Sequence, residues 1–197
     1  PFPPLPPGAP RPAGNQNEWL DVAVGVRSAE SETEPVWADG FDLSDPAAQV
    51  ALLELCDVVA ASGLAIHESE CVMRTFARSQ DTFPVPASRF DAAFAEFLEE
   101  TNYRAVHKGQ VLVDEACGTV KGIKLRVMST LELNEGSRST DEHRRDWEEA
   151  LREWNSAAPA TVGSEGAYAS GDKFVWAATE VLVVESTVFS IWLPPPP

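Results

Sequence analysis

The chain has 197 residues, 44% hydrophobic and 23% charged, and its 31 acidic against 15 basic residues give a formal net charge of -16. A length in the range of about 100–200 residues with this ordinary hydrophobic fraction predicts one globular domain and excludes a wholly disordered chain. The acidic excess repels phosphates and anionic headgroups, which excludes nucleic acid as a partner and argues against polybasic membrane binding.

Proline is concentrated at the two ends of the sequence. Seven of the 16 prolines lie in PFPPLPPGAPRP at residues 1–12, and four more occupy 194–197. Such stretches favour extended polyproline II over a packed core, and their composition favours a spacer over a docking motif. We predict a Pro-rich extended segment over residues 1–17, a single α+β domain over 18–193 and a proline tail. Because residue 1 is proline and not methionine, we expect the chain to be a piece of a longer protein.

The domain is predicted to open with a strand and a long loop. Residues 19–27 alternate with the period of two that is typical of a half-buried strand, which places one set of side chains on a single face: Leu20, Val22, Val24 and Val26. Residues 28–44 are acidic and irregular, and they predict a loop anchored by Trp37 and Phe41.

The first helix is predicted over residues 45–62. Asp45 or Ser44 suits its N-cap and Pro46 its first turn, and Gly63 follows its end. Helical spacing predicts an inward stripe formed by four apolar residues: Val50, Leu53, Val58 and Ala61.

Two further helices are predicted after a short apolar link at 64–67. Residues 69–79 are weakly helical with Val72, Met73 and Phe76 inward, and FPVPA at 83–87 interrupts the helical pattern. Residues 88–101 predict an amphipathic helix that a capping box from Ser88 to Asp91 would begin. Its inward stripe comprises Phe90, Phe94, Phe97 and Leu98.

The next stretch predicts a β-hairpin and then another helix. QVLVDEA and TVKGIKLRVMSTLEL alternate on either side of a tight turn at 116–118, where Gly118 supplies a positive φ. Residues 140–156 predict a helix with a capping box from Ser139 to Glu142, followed from Pro159 by a loop. The predicted inward face of this helix consists of Trp147, Ala150, Leu151 and Trp154.

The most apolar stretch, KFVWAATEVLVVESTVFSIWL at 173–193, is nearly long enough to cross a bilayer. Glu180 and Glu185 would be costly at mid-depth, so we interpret it as an amphipathic or buried helix, or as the start of a membrane helix.

The sequence contains none of the common catalytic or cofactor motifs, and it predicts a protein that is not an enzyme, with no catalytic, cofactor-binding or metal site. His67, His107 and His143 are scattered, and the carboxylate pairs at 99–100 and 148–149 fall on helix faces that point to water. The acidic run at 30–34 lacks the ligand spacing of a calcium loop. Three cysteines, Cys56, Cys71 and Cys117, leave one disulfide plus a free thiol or three reduced thiols open.

A series of short motifs carries a resemblance to a known family. They are Val24-Gly25-Val26, Leu43-Ser44-Asp45-Pro46, Leu55-Cys56, Cys71-Val72-Met73, Phe83-Pro84-Val85, Phe90 with Phe97-Leu98, the strand GTVKGIKLRVMSTL, and Phe174 to Val183. Over residues 20–193 the order of elements resembles the split β-α-β units of the extracellular domains of resistance-nodulation-division transporters. More narrowly, it resembles the second extracellular domain of Dispatched and its Patched-related relatives.

The resemblance implies a domain on the extracellular side of the plasma or ciliary membrane. It would form part of the conduit or docking surface for a lipid or lipid-modified cargo. Its partners would be the other half of its own extracellular region or another protein, and flanking segments would join it to the membrane. The family's eighth membrane helix would follow residues 174–183, and here Pro194–Pro197 interrupt that continuation.

The fold class that we predict is an α+β sandwich of the ferredoxin-like, split β-α-β type, with a small, mainly antiparallel sheet and helices on one face. Two other functions stay open. One is a non-enzymatic extracellular structural or interaction module with Pro-rich tethers. The other is a soluble cytosolic domain, in which all three thiols would titrate in the native protein.

Overall fold

The structure is a computed structural model. It describes residues 17–27, 36–68, 71–100, 109–114, 119–174, 176–177 and 180.

Seven strands and four α-helices lie wholly within these described residues. The strands are β1 (Asn17–Val24), β2 (Val26–Arg27), β3 (Val36–Trp37), β4 (Ala65–Glu68), β5 (Val111–Asp114), β6 (Thr119–Glu132) and β7 (Ala167–Ser170). The helices are α1 (Pro46–Ala61), α2 (Val72–Ser79), α3 (Ala87–Glu99) and α4 (Ser137–Ala157), and a 3-10 helix spans Ala160–Val162.

The main sheet is antiparallel and has the strand order β4-β6-β1-β7, with β5 also pairing with β6. Helix α1 connects β1 to β4, and α4 connects β6 to β7, so each β-α-β unit encloses a strand of the other unit. This is the ferredoxin-like, split β-α-β arrangement, and it confirms the predicted fold class. Helices α2 and α3 and strand β5 are inserted between β4 and β6.

The prediction of one continuous strand over 19–27 is wrong from Gly25 onward. Strand β1 ends at Val24, and Gly25 takes a φ of +84°. A side chain there would meet the backbone carbonyl of Lys121 at 2.3 Å, so this turn requires glycine. Val26 then enters a separate two-stranded sheet with β3.

Two edge strands of the main sheet were not predicted. The apolar link expected at 64–67 overlaps β4, and the loop expected after Pro159 contains β7. Each of these strands is only four residues long, which is too short for alternation to distinguish it from a loop.

The helix starts are right for α1 and wrong for α3 and α4. Asp45 is the N-cap of α1, and its carboxylate accepts the N–H of Ala47 at 3.0 Å. The capping boxes from Ser88 and Ser139 are wrong, because α3 and α4 begin one to three residues earlier without a side-chain cap.

The core forms one cluster between the inner face of the sheet and the helices. The predicted inward residues of α3 are confirmed in the main, since three of its aromatic rings are buried against the ring of Phe76 from α2 at centroid distances of 4.9–5.7 Å: Phe90, Phe94 and Phe97. Burying each such ring stabilises the fold by about 1.5–3 kcal/mol.

A disulfide joins Cys56 of α1 to Cys71, the residue before α2, and both cysteines are fully buried. Closing a loop with a sequence separation of 15 stabilises the folded state by about 3 kcal/mol in the chain-entropy treatment. Of the two thiol arrangements open from sequence, the structure has the bridged one. Cys117 lies outside the described residues.

The apolar 173–193 stretch is helical at residues 173–174, 176–177 and 180, and its remainder lies outside the described residues. The predicted hairpin turn and the Pro-rich ends also lie outside them. In the part of the chain that the structure describes, no helix has both the length and the apolar character needed to span a bilayer.

Candidate binding groove

An apolar groove with a volume of about 530 Å³ lies between the start of α1, the end of α4 and the loop before α3. Its lining residues are proline, alanine, valine and tryptophan with a single carboxylate: Pro46, Ala47, Val50, Ala51, Glu54, Pro84, Trp154, Ala157, Ala158 and Pro159. The volume falls within the range of small-ligand sites. We define this set as the Pro/Trp groove.

One wall of the Pro/Trp groove is a stripe along α1. Ala47, Val50, Ala51 and Glu54 recur at helical spacing on one side of the helix. The sequence predicted that Val50 would face the core, and this is wrong: its side chain is 37% exposed. The buried face of α1 is instead formed by Ala48, Gln49, Ala51, Leu52, Leu55, Cys56 and Val59.

The floor of the groove is the indole of Trp154 from α4. This ring is 6% exposed, and its Nε1–H donates to the backbone oxygen of Ala51 at 2.9 Å. The bond fixes α4 against α1 and leaves the indole without a free donor. A bound ligand would therefore contact the ring through apolar surface.

The third wall is the loop at Pro84, which a buried glutamine attaches to α1. Gln49 is fully buried; its Nε2 donates to the Val85 oxygen at 2.9 Å, and its Oε1 accepts the Val85 N–H at 2.8 Å. The same Nε2 also lies 3.3 Å from the oxygen of Ser44. One side chain therefore satisfies both backbone groups of Val85, as buried polar groups require.

The N-cap of α1, Asp45, directly precedes the groove residue Pro46. Thr161 Oγ1 donates to Asp45 Oδ2 at 2.6 Å, which links the start of α1 to the 3-10 helix after Pro159. The Thr161 hydroxyl, and then the Ala47 N–H, lower the pKa of Asp45 because both hydrogen bonds favour the charged carboxylate.

A second polar feature is a serine–histidine pair between β6 and α4. Ser129 Oγ lies 2.5 Å from His143 Nε2, and it accepts the N–H of Leu131 at 3.2 Å. Ser129 is fully buried, so its hydroxyl connects β6 to α4 and is not accessible to a substrate. Burial lowers the pKa of His143, and the carboxylates of Asp146 and Glu135 oppose this effect.

The other ionisable residues considered in the sequence form surface ion pairs, are exposed, or lie outside the described residues. Glu148 pairs with Arg144 and Glu149 with Arg152 on α4, whereas residues 99–100 are exposed. His67 is exposed on β4, and the acidic run at 30–34 and His107 lie outside the described residues. Among the residues that the structure describes, no group of three or more His, Cys, Asp or Glu side chains could hold a metal ion.

No protein-family model matches the chain, and no curated protein matches it. The chemistry of the groove follows from its own lining residues. It offers an apolar, proline-lined surface with one carboxylate at its rim, which suits an apolar segment or chain.

Proposed function

We propose that the chain is an extracellular domain of a Dispatched-like transporter, where it forms part of the conduit or docking surface for a lipid or lipid-modified cargo. The observation that carries the proposal is the sheet order β4-β6-β1-β7, with one helix in each β-α-β unit. This is the arrangement that the resemblance implies. Because folds of this type host many functions, the proposal depends on the motif series as well as on the topology.

Several of the motifs hold structural positions that support the proposal. GTVKGIKLRVMSTL coincides with β6, which pairs with β1, β4 and β5. Phe174, which opens the last motif, is 4% exposed and belongs to the core, whereas Trp176 is 71% exposed. The final helical residues thus begin against the core, and a segment continuing from them would be anchored to the domain.

The disulfide supports an extracellular location. Disulfides persist in oxidising compartments and are rare in the cytosol, and the bond between Cys56 and Cys71 is buried at the junction of α1 and α2. In this proposal the partners are the other half of the protein's own extracellular region or another protein, and the membrane is reached through flanking segments. The net charge of -16 disfavours nucleic acid as a partner.

The proposal is tested on the native protein in its own cells with an antibody to this domain. We expect the protein to stay in membranes washed with alkaline carbonate, and protease added outside intact cells to remove the epitope. A cytosolic marker that survives the same protease treatment is the control. An epitope that survives in intact cells, and is lost only after the membrane is permeabilised, would contradict the extracellular location.

The second candidate is a non-enzymatic extracellular interaction module with Pro-rich tethers. The Pro/Trp groove favours it, because an exposed apolar concavity is typical of a surface that binds another segment. The same experiment separates the two candidates. Removal of the epitope by outside protease together with release of the protein by carbonate would select the interaction module.

A further inference from the structure

We propose that the Pro/Trp groove binds residues 1–8 of the same chain, PFPPLPPG, with Phe2 and Leu5 as its anchors. This inference does not depend on the proposed function, because it concerns only contacts within the chain. Three features point to this segment as the occupant of the groove: its periodicity, its charge and the length of chain that connects it to β1.

The segment matches an apolar groove in shape. A polyproline II helix has three residues per turn, so Phe2 and Leu5 fall on one edge of it about 9 Å apart. Prolines occupy the other two edges, and they limit the conformational freedom that is lost on binding. Proline-rich segments bind aromatic-lined grooves in several peptide-recognition modules. Here the facing surfaces would be the ring of Trp154 and the small side chains that flank it.

The charges are also complementary. Residues 1–16 contain Arg11 and no acidic residue, whereas the whole chain has a net charge of -16. Glu54 is the one charged residue in the groove lining. With Leu5 in the groove, Arg11 would follow six residues further along the connecting segment, and its charge is opposite to the net charge of the chain.

The connecting segment is long enough. The groove lies near the end of β1, because Asp42 N–H donates to the Thr161 oxygen at 2.8 Å and Gly163 lies beside Gly25. The segment enters β1 at Asn17, and the eight residues of that strand span about 26 Å. Leu5 precedes Asn17 by 12 residues, which reach about 37 Å in polyproline II. The segment can therefore return along the domain to the groove.

Because the segment is tethered to the domain, even weak binding would keep a large fraction of the chains self-bound. A short flexible connection gives an effective concentration of about 1 mM. A free peptide of sequence PFPPLPPG that binds with a Kd of about 1 mM would thus correspond to about half of the chains being self-bound. We expect the free peptide to bind in this range or more tightly.

The test uses the full chain and two-dimensional NMR of backbone amides and of the indole N–H of Trp154. The double variant Phe2→Ser/Leu5→Ser should shift the Trp154, Ala47 and Ala157 signals. Its matched control, Ala9→Ser/Ala13→Ser, changes two apolar residues outside residues 1–8 and should leave these signals within about one fifth of that shift. Equal shifts in the two variants, or none in either, would overturn the proposal.

A second arm adds the peptide PFPPLPPG to the Phe2→Ser/Leu5→Ser variant. The peptide should return the signals to their wild-type positions. Adding Val50→Glu, a change at an exposed groove position, should weaken this binding about tenfold because a carboxylate would be desolvated. Ala60→Glu, at an exposed position near the other end of α1, is the control and should bind the peptide unchanged.

Two other occupants give different results. Wild-type signals that move on dilution would mean that the segment of a second copy fills the groove, and this would overturn the intrachain arrangement. If monomeric dihexanoyl phosphatidylcholine shifts the groove signals of the variant and the peptide does not, the groove binds lipid and the proposal is wrong. Neither result depends on whether the protein is found in membranes.

Discussion

Replacing Gln49 with leucine should destabilise the domain, although leucine is apolar and of similar size. Gln49 is fully buried, and its side-chain amide is bonded to both the N–H and the oxygen of Val85. Each buried backbone group left without a partner costs about 1–3 kcal/mol, so two such groups cost about 2–6 kcal/mol. Because Pro86 beyond Val85 is exposed, the loop can turn partly toward water. We therefore expect a loss of about 2–3 kcal/mol in the free energy of unfolding.

The assay is urea unfolding of the oxidised protein, followed by tryptophan fluorescence and fitted by linear extrapolation. The matched control is Gln80→Leu, since the amide of Gln80 donates to its neighbour Ser79 in an exposed hydrogen bond. This control should stay within about 0.5 kcal/mol of the wild type. If Gln49→Leu unfolds at the same urea concentration as Gln80→Leu, the buried amide does not hold the loop as argued.

Three further predictions concern buried or titrating groups. Trp147 is fully buried, and its Nε1 has no hydrogen-bond partner in the described residues, whereas the Nε1 of Trp154 is paired. In urea unfolding, Trp154→Phe should therefore lower the free energy of unfolding by about 1–3 kcal/mol more than Trp147→Phe does. Equal losses in the two variants would contradict this. The lowered pKa of Asp45 predicts stability that is present above its unfolded pKa of about 3.9 and is lost as the pH falls through the folded value. Asp45→Asn should keep the helix cap and reduce this loss of stability at acidic pH, while Asp45→Ala should lower the free energy of unfolding by about 1 kcal/mol at neutral pH. An unchanged loss of stability at acidic pH in Asp45→Asn would contradict the role given to the Asp45 carboxylate. The lowered pKa of His143 means that folding favours the neutral ring, so unfolding midpoints should fall as the pH drops below about 6.5 toward the folded pKa. His143→Gln should remove that part of the pH dependence, and an unaltered profile would refute it.

Sequence periodicity predicted the fold class and the buried face of α3, because a stripe of large aromatic residues on a polar helix has one stable orientation. Phe90, Phe94 and Phe97 are each 2% exposed, as expected. The orientation of α1 was predicted wrongly because this helix is apolar on nearly every side, so spacing alone does not select one face. Its residue Val50, expected in the core, lines the Pro/Trp groove instead.

The groove itself could not be predicted from any one segment. It forms where the first turns of α1 meet the last turns of α4, and the contact between Ala51 and Trp154 joins positions that are 103 residues apart. Its third wall depends on Gln49, a residue whose polarity gave no indication that it would be buried. The edge strands β4 and β7 were missed for a related reason, since four-residue strands are defined by their pairing with β6 and β1.

Whether this domain belongs outside the cytosol can be decided from the redox state of its cysteines. Intact cells are lysed directly into denaturant that contains N-ethylmaleimide, so that buried thiols would also react. The protein is then purified without reduction and analysed by peptide mass spectrometry. An extracellular domain predicts that Cys56 and Cys71 escape modification and are recovered as one disulfide-linked peptide pair. Recovery of both residues as N-ethylmaleimide adducts would contradict the bridge and the extracellular location together, and would favour a reduced cytosolic domain.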